Sequence, residues 1–108
     1  MGLRVVYSPR AIGDLHGITR YIGSDNPEAA RRFRRSLVEH IKLLADFPLM
    51  GPEWEKRPGI RSLVHTPYRV FYRVNGPKQA VEIITVWHAA RGDPEIQPGR
   101  EGDRRQEA

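Results

Sequence analysis

The stretch from Ile60 to Arg91, IRSLVHTPYRVFYRVNGPKQAVEIITVWHAAR, constrains the fold more than any other part of this chain. Its middle run alternates: Tyr68, Val70, Tyr72 and Val74 share one face, and Arg69, Phe71 and Arg73 share the other. That period of two marks a strand with unlike sides. The run from Val81 to His88 is apolar on both sides, with Ile83 and Trp87 expected to point one way and Ile84 and Val86 the other. A strand of that kind is central in its sheet or covered on both faces. The stretch therefore reads as three strands in a meander, and the rest of the chain must supply at least one cover.

The N-terminal half carries that cover. Leu3 to Tyr7 is a short β-branched and aromatic run stopped by Ser8-Pro9, which reads as a first strand. Ser8 then caps a helix whose first position is Pro9, and Ile12, Leu15, Ile18 and Ile22 follow at helical spacing as far as Gly23. Gly13 and Gly17 each weaken such a helix by roughly 1 kcal/mol relative to alanine, which predicts that another backbone packs close to them. Asn26 and Pro27 repeat the cap, and Ala30, Phe33, Leu37, Ile41 and Leu44 form the apolar stripe of a second helix that stops at Phe47-Pro48. The two make an αα-hairpin. The segment FPLMGPEWEKRPG, with three prolines and two glycines, is a connection, and its Trp54 is expected to fold back onto the body.

Composition narrows the functions. A chain of 108 residues makes one domain, and the absence of cysteine excludes a disulfide framework, a thiol nucleophile and a Cys-based zinc site. No apolar run approaches the roughly 20 residues of a membrane span, and the opening MGLRVVYSPR has no stretch resembling a signal-peptide core, so a cytoplasmic protein without membrane attachment is expected. The net charge is +5, and it is concentrated: residues 1–91 hold 15 basic and 8 acidic side chains. Such a surface suits a polyanion or an acidic protein partner, and equally serves plain solubility. Arg31, Arg32, Arg34 and Arg35 on the outer side of the second helix carry the same two readings. Residues 92–108 offer one large aliphatic side chain, Ile96, among Pro, Gly and charge, and are expected to form a mobile tail or to order only on a partner. No nucleotide-binding glycine loop, zinc-protease or serine-hydrolase motif appears.

Candidate chemistry lies in or beside the meander, in Arg61, His65, Arg69, Arg73, His88 and Arg91. Arginines on one sheet face could clamp a phosphodiester while a histidine moves a proton near neutral pH. The same arginines could instead cover the sheet and pair with acids such as Glu82, and His88 reads equally well as a structural histidine. His16 and His40 stand in different helices without acidic partners at ligand spacing, so no metal site is expected there.

The strings SPRAIGDLHGITRYI, NPEAARRF, LLADFPLMG, RPGIRSLV, YRVFYRV and ITVWHAAR, in that order over residues 3–91, resemble the RelE/ParE superfamily of bacterial toxins, and its ParE-like branch best. The resemblance implies an α+β toxin domain over residues 1–91 in the order β-α-α-β-β-β, an antiparallel sheet of about four strands with the helical hairpin on one face. It implies no cofactor and a cognate antitoxin as partner, for which Arg31, Arg35, Arg73 and Trp87 are candidate contacts. ParE-like members are associated with inhibition of DNA gyrase; RelE-like members cut ribosome-bound mRNA with a basic cluster on the sheet. A nuclease of the second kind would here use Arg61, Arg69, His88 and Arg91. The sequence departs from that pattern: Ile60-Arg61-Ser62 stands where paired lysines are expected, and Gly-Asp-Pro-Glu follows HAAR in place of a terminal tyrosine. Gyrase inhibition is therefore the favoured expectation, with Arg100, Arg104 and Arg105 as further candidate contacts.

Overall fold

Local signals start both helices. In the computed structural model, which describes residues 2–97, strand β1 (Arg4–Tyr7) runs into helix α1 (Pro9–Gly23), and helix α2 (Pro27–Lys42) follows. The Ser8 hydroxyl accepts the Ala11 N–H at 3.0 Å, and the Asn26 side chain accepts the Ala29 N–H at 3.0 Å. Each cap satisfies one of the amide groups that a helix start leaves without a partner. Ser8 also donates to the Ile84 carbonyl at 2.7 Å, which ties the start of α1 to the sheet.

Strands β2 (Arg61–His65), β3 (Tyr68–Asn75) and β4 (Ala80–His88) form the expected antiparallel meander, and the sheet order is β1-β4-β3-β2. Short 3₁₀ turns follow α2 at Leu43–Ala45 and β4 at Ala89–Arg91. The α+β class and element order agree with the expectation, but the sheet is mixed: β1 lies parallel to β4, with Val5 opposite Val81 and Tyr7 opposite Ile83. The hairpin explains this. Two helices of similar length return the chain to the end of the sheet where it began, with the Leu3 N–H donating to the Ala45 carbonyl at 2.8 Å, and β1 takes the β4 edge of the meander.

One face of the sheet packs on the hairpin. Ala11, Leu15, Leu37, Ile41 and Leu44 meet Leu63, Tyr68, Val70, Tyr72, Val81, Ile83 and Val86 in a single buried cluster. Fully burying Leu37, Ile41 and Leu44 contributes about 1.5–3 kcal/mol each. Val86 is on this side together with Ile83, which corrects the expected alternation. Phe71 pairs with Thr85 and Tyr72 pairs with Ile83, so Ile84 is an extra residue in β4. The resulting β-bulge exchanges the two faces beyond it, placing Ile84 and Trp87 on the other side of the sheet.

That opposite face has its own cover. Trp54 folds back as expected, and Trp54, Ile60, Phe71, Ile84 and Ile96 form a second cluster. Ile96 is 3% exposed, so residues 92–97 lie against the body instead of starting a tail at residue 92. The remainder of the expected tail, residues 98–108, lies outside the described residues and includes the candidates Arg100, Arg104 and Arg105.

Candidate functional site

Because the register fixes which side chains share a face, it also decides which candidates can act together. Arg69 and Arg73 project to the side away from the helices, as their alternation in β3 requires. Arg69 is held three ways: its guanidinium donates to the Ser62 hydroxyl at 3.2 Å, lies 3.7 Å from the Asp93 carboxylate, and sits 4.7 Å over the Phe71 ring. Arg73 donates to the Glu82 carboxylate at 2.6 Å. Glu82 is 2% exposed and also accepts from the Asn75 amide at 3.0 Å, so this pair closes a buried charge in the sheet itself. Of the two readings of the strand arginines, the pairing with Glu82 is the one observed for Arg73.

Arg61 and His88 are on the helix side. Arg61 opposes Tyr72 across β2 and β3 and donates to the Gly51 carbonyl at 2.8 Å. His88 opposes Tyr68, stacks edge-on to its ring at 5.0 Å, and accepts the Ala90 N–H through Nδ1 at 3.1 Å. Tyr68 and Tyr72 are four positions apart, so Arg61 and His88 are separated by about 13 Å along the strand direction alone. Arg91 leans over the Trp87 ring at 4.1 Å, with Arg10 at 5.7 Å from the same ring. The four residues that a nuclease reading would use are thus divided between two faces and several unrelated contacts. Among the partner candidates, Arg31 pairs with Glu28 at 3.2 Å on an exposed turn of α2, Arg35 is exposed nearby, and the Trp87 indole donates to the Gly92 carbonyl at 3.0 Å.

Between α1 and the β3–β4 end of the sheet lies an open, mainly apolar groove of about 810 Å³, lined by Gly17, Ile18, Phe33, Tyr68, Val86 and His88 among others. Gly13 and Gly17 both border it, and a Cβ built on either would meet nothing within 4 Å. The expectation that these glycines pack against a neighbouring backbone of the same chain does not hold; they leave one wall of the groove low.

Two arrangements escaped the sequence reading. The first is Asp14, whose carboxylate accepts from the Thr85 hydroxyl at 2.5 Å and from the Val86 N–H at 3.0 Å, just beyond the bulge. An acid within reach of the Ala11–Leu15 stripe was the available signal. The second is a histidine pair: His40 on α2 and His65 on β2 bring their Nδ1 atoms to 2.8 Å, and His65 Nε2 lies 3.4 Å from the Ser36 hydroxyl. Burial, reinforced by the neighbouring His40, lowers the His65 pKa. No sequence pattern links residues 25 positions apart on a helix and a strand. Among the described residues no group of three or more His, Asp or Glu side chains is placed to hold a metal ion.

Comparison with known proteins adds the family context. A family model described as the ParE toxin of type II toxin-antitoxin systems, parDE, matches residues 5–92. The putative toxin Y4kP of Sinorhizobium fredii is 34% identical over 99 residues, covering 86% of this chain and 95% of that protein. Toxin RelE2 of Caulobacter vibrioides is 36% identical over 90 residues, covering 82% and 97%. Among solved structures, a chain of the chromosomal ParDE toxin-antitoxin system from P. aeruginosa superposes with a TM-score of 0.68 at 24% identity, over 80% of this chain and 95% of that one. The last likeness concerns the fold.

Proposed function

The chain belongs to the ParE toxin family of type II toxin-antitoxin systems, and from that premise we propose that it arrests growth by inhibiting DNA gyrase and is silenced by a cognate antitoxin. The observation that carries this reading is the division of the basic residues. Arg69 is engaged by Ser62 and Asp93, Arg73 by Glu82 and Arg61 by the Gly51 carbonyl, while His88 lies on the opposite side of the sheet from Arg69. RNA cleavage needs a base, an acid and a charge clamp converging on one phosphate. An inhibitor needs only a shaped surface.

The antitoxin contact follows from charge and shape. An acidic, amphipathic segment finds apolar anchors in the groove beside α1 and positive charge on α2, where Arg31 and Arg35 are exposed. No helix among the described residues is long and apolar enough to cross a membrane.

A second reading, a ribosome-dependent mRNA endonuclease, draws on the similarity to a relative named toxin RelE2. A supercoiling assay separates the two. Purified toxin is expected to abolish supercoiling by gyrase and to leave ribosome-bound message intact. Normal supercoiling at saturating toxin refutes the gyrase reading, and site-specific cuts that vanish in an Arg69→Ala/His88→Ala double variant establish the other.

A further inference from the structure

Residues 92–97 cross the sheet face away from the helices in the manner of a bound peptide. Asp93 places its carboxylate 2.9 Å from the Lys56 ammonium and 3.7 Å from the Arg69 guanidinium. Three residues on, Ile96 enters the apolar pocket of Trp54, Ile60, Phe71 and Ile84. The backbone carbonyls between and around these anchors are taken by side chains: Gly92 by the Trp87 indole at 3.0 Å, Glu95 by Arg10 at 2.7 Å and Ile96 by Arg57 at 2.9 Å. None of these bonds pairs the segment with a strand. The recognition consists of one carboxylate, one aliphatic anchor at the third position after it, and backbone carbonyls read by basic and indole donors.

We propose that this face is a peptide-binding surface occupied in cis by the chain's own residues 92–97, and that its partner in trans is an extended acidic segment of another protein carrying the same acid-x-x-aliphatic pattern. Charge complementarity fixes the class of occupant, since Lys56, Arg57, Arg69 and Arg10 surround the segment. The apolar pocket favours a peptide over a nucleic acid: a phosphate backbone would satisfy the cations but leave Phe71, which is 0% exposed, and Ile84, at 2%, without the side chain that covers them. Anchoring at the edges by long side chains, without a β-ladder, makes the segment exchangeable while the four strands stay paired.

The test uses the full chain and a fluorescein-labelled synthetic peptide with the sequence of residues 91–97, read by anisotropy. In the wild-type protein the tethered segment competes at an effective concentration on the order of millimolar, so no saturable binding is expected. Ile96→Asp removes the anchor and Asp93→Lys reverses the charge contact. Both variants are expected to retain native circular dichroism and to bind the peptide at least ten times more tightly than wild type, whereas a peptide carrying Asp in place of the isoleucine binds neither. Folded variants without this gain overturn the proposal, as does wild-type binding as tight as that of the variants. Loss of the native spectrum in both also overturns it, because the segment would then be an integral layer of the core. A parallel titration with a short RNA oligonucleotide covers the remaining case: gain of RNA binding without gain of peptide binding assigns the face to phosphate and refutes the peptide reading.

Discussion

Replacing Tyr72 with phenylalanine tests how the sheet fixes the connection that leads into it. Tyr72 is 0% exposed, and its hydroxyl donates to the Pro48 carbonyl at 2.8 Å and accepts the Gly51 N–H at 3.0 Å. Phenylalanine keeps the buried ring and removes only the oxygen. The Pro48 carbonyl is half-buried and can turn to water, but Gly51 is buried, so its N–H loses its acceptor without replacement. An unsatisfied buried donor costs about 1–3 kcal/mol. For a domain of this size each kcal/mol lowers Tm by about 4–8 °C, which gives a fall of roughly 4–24 °C. Urea unfolding followed by the fluorescence of Trp54 and Trp87 should show a lower midpoint with an unchanged slope. Hydrogen exchange at the Gly51 amide should accelerate more than in the β3–β4 ladder. A stability change within about 0.3 kcal/mol, or unaltered exchange at Gly51, would refute the reasoning, since either result means that the hydroxyl is not what holds the loop. Gly51→Ala should be worse than Tyr72→Phe, because the added Cβ would lie 2.6 Å from the Ser62 carbonyl oxygen and 2.9 Å from the Tyr72 hydroxyl.

Three further outcomes are expected. Glu82→Ala strands Arg73, and because that side chain is 29% exposed the loss should be about 2–4 kcal/mol by urea titration, below the cost for a fully buried pair, with a Glu82→Leu/Arg73→Leu double variant recovering most of it. His65 has its folded pKa lowered by burial and by His40, so in the window between that value and about 6.5 the unfolded chain binds more protons; stability should fall as pH drops through this window, and His65→Gln should flatten the fall in a series of melts. Asp14→Ala leaves the Thr85 hydroxyl and the Val86 N–H without their acceptor and should cost about 1.5–3 kcal/mol, with NMR shift changes centred on the bulge; changes confined to α1 would contradict the assignment.

What could be read from the sequence was whatever is decided within a few residues. The caps at Ser8 and Asn26, the stripe on α2 and the alternation of β3 depend on the chemistry of near neighbours, and each appears where those neighbours placed it. The family strings extended that reach, because their joint order carries a whole topology.

Tertiary structure decided the rest, and a single residue had the largest effect. Ile84 is extra in β4, and the bulge moves Val86 and His88 to the helix side and Trp87 away from it. No local pattern announces that exchange, because a strand apolar on both faces reads the same in either register. The bulge is held by Asp14 from a distant helix, and it divides Arg69 from His88. In the same way, one isoleucine in a polar stretch could not predict its own burial, since the pocket that takes Ile96 is assembled from Trp54, Ile60, Phe71 and Ile84, residues that only the folded sheet brings together. The sequence by itself determined the elements and the family. Which side chains share a face was settled by long-range packing, where one inserted residue outweighs the whole alternation of a strand.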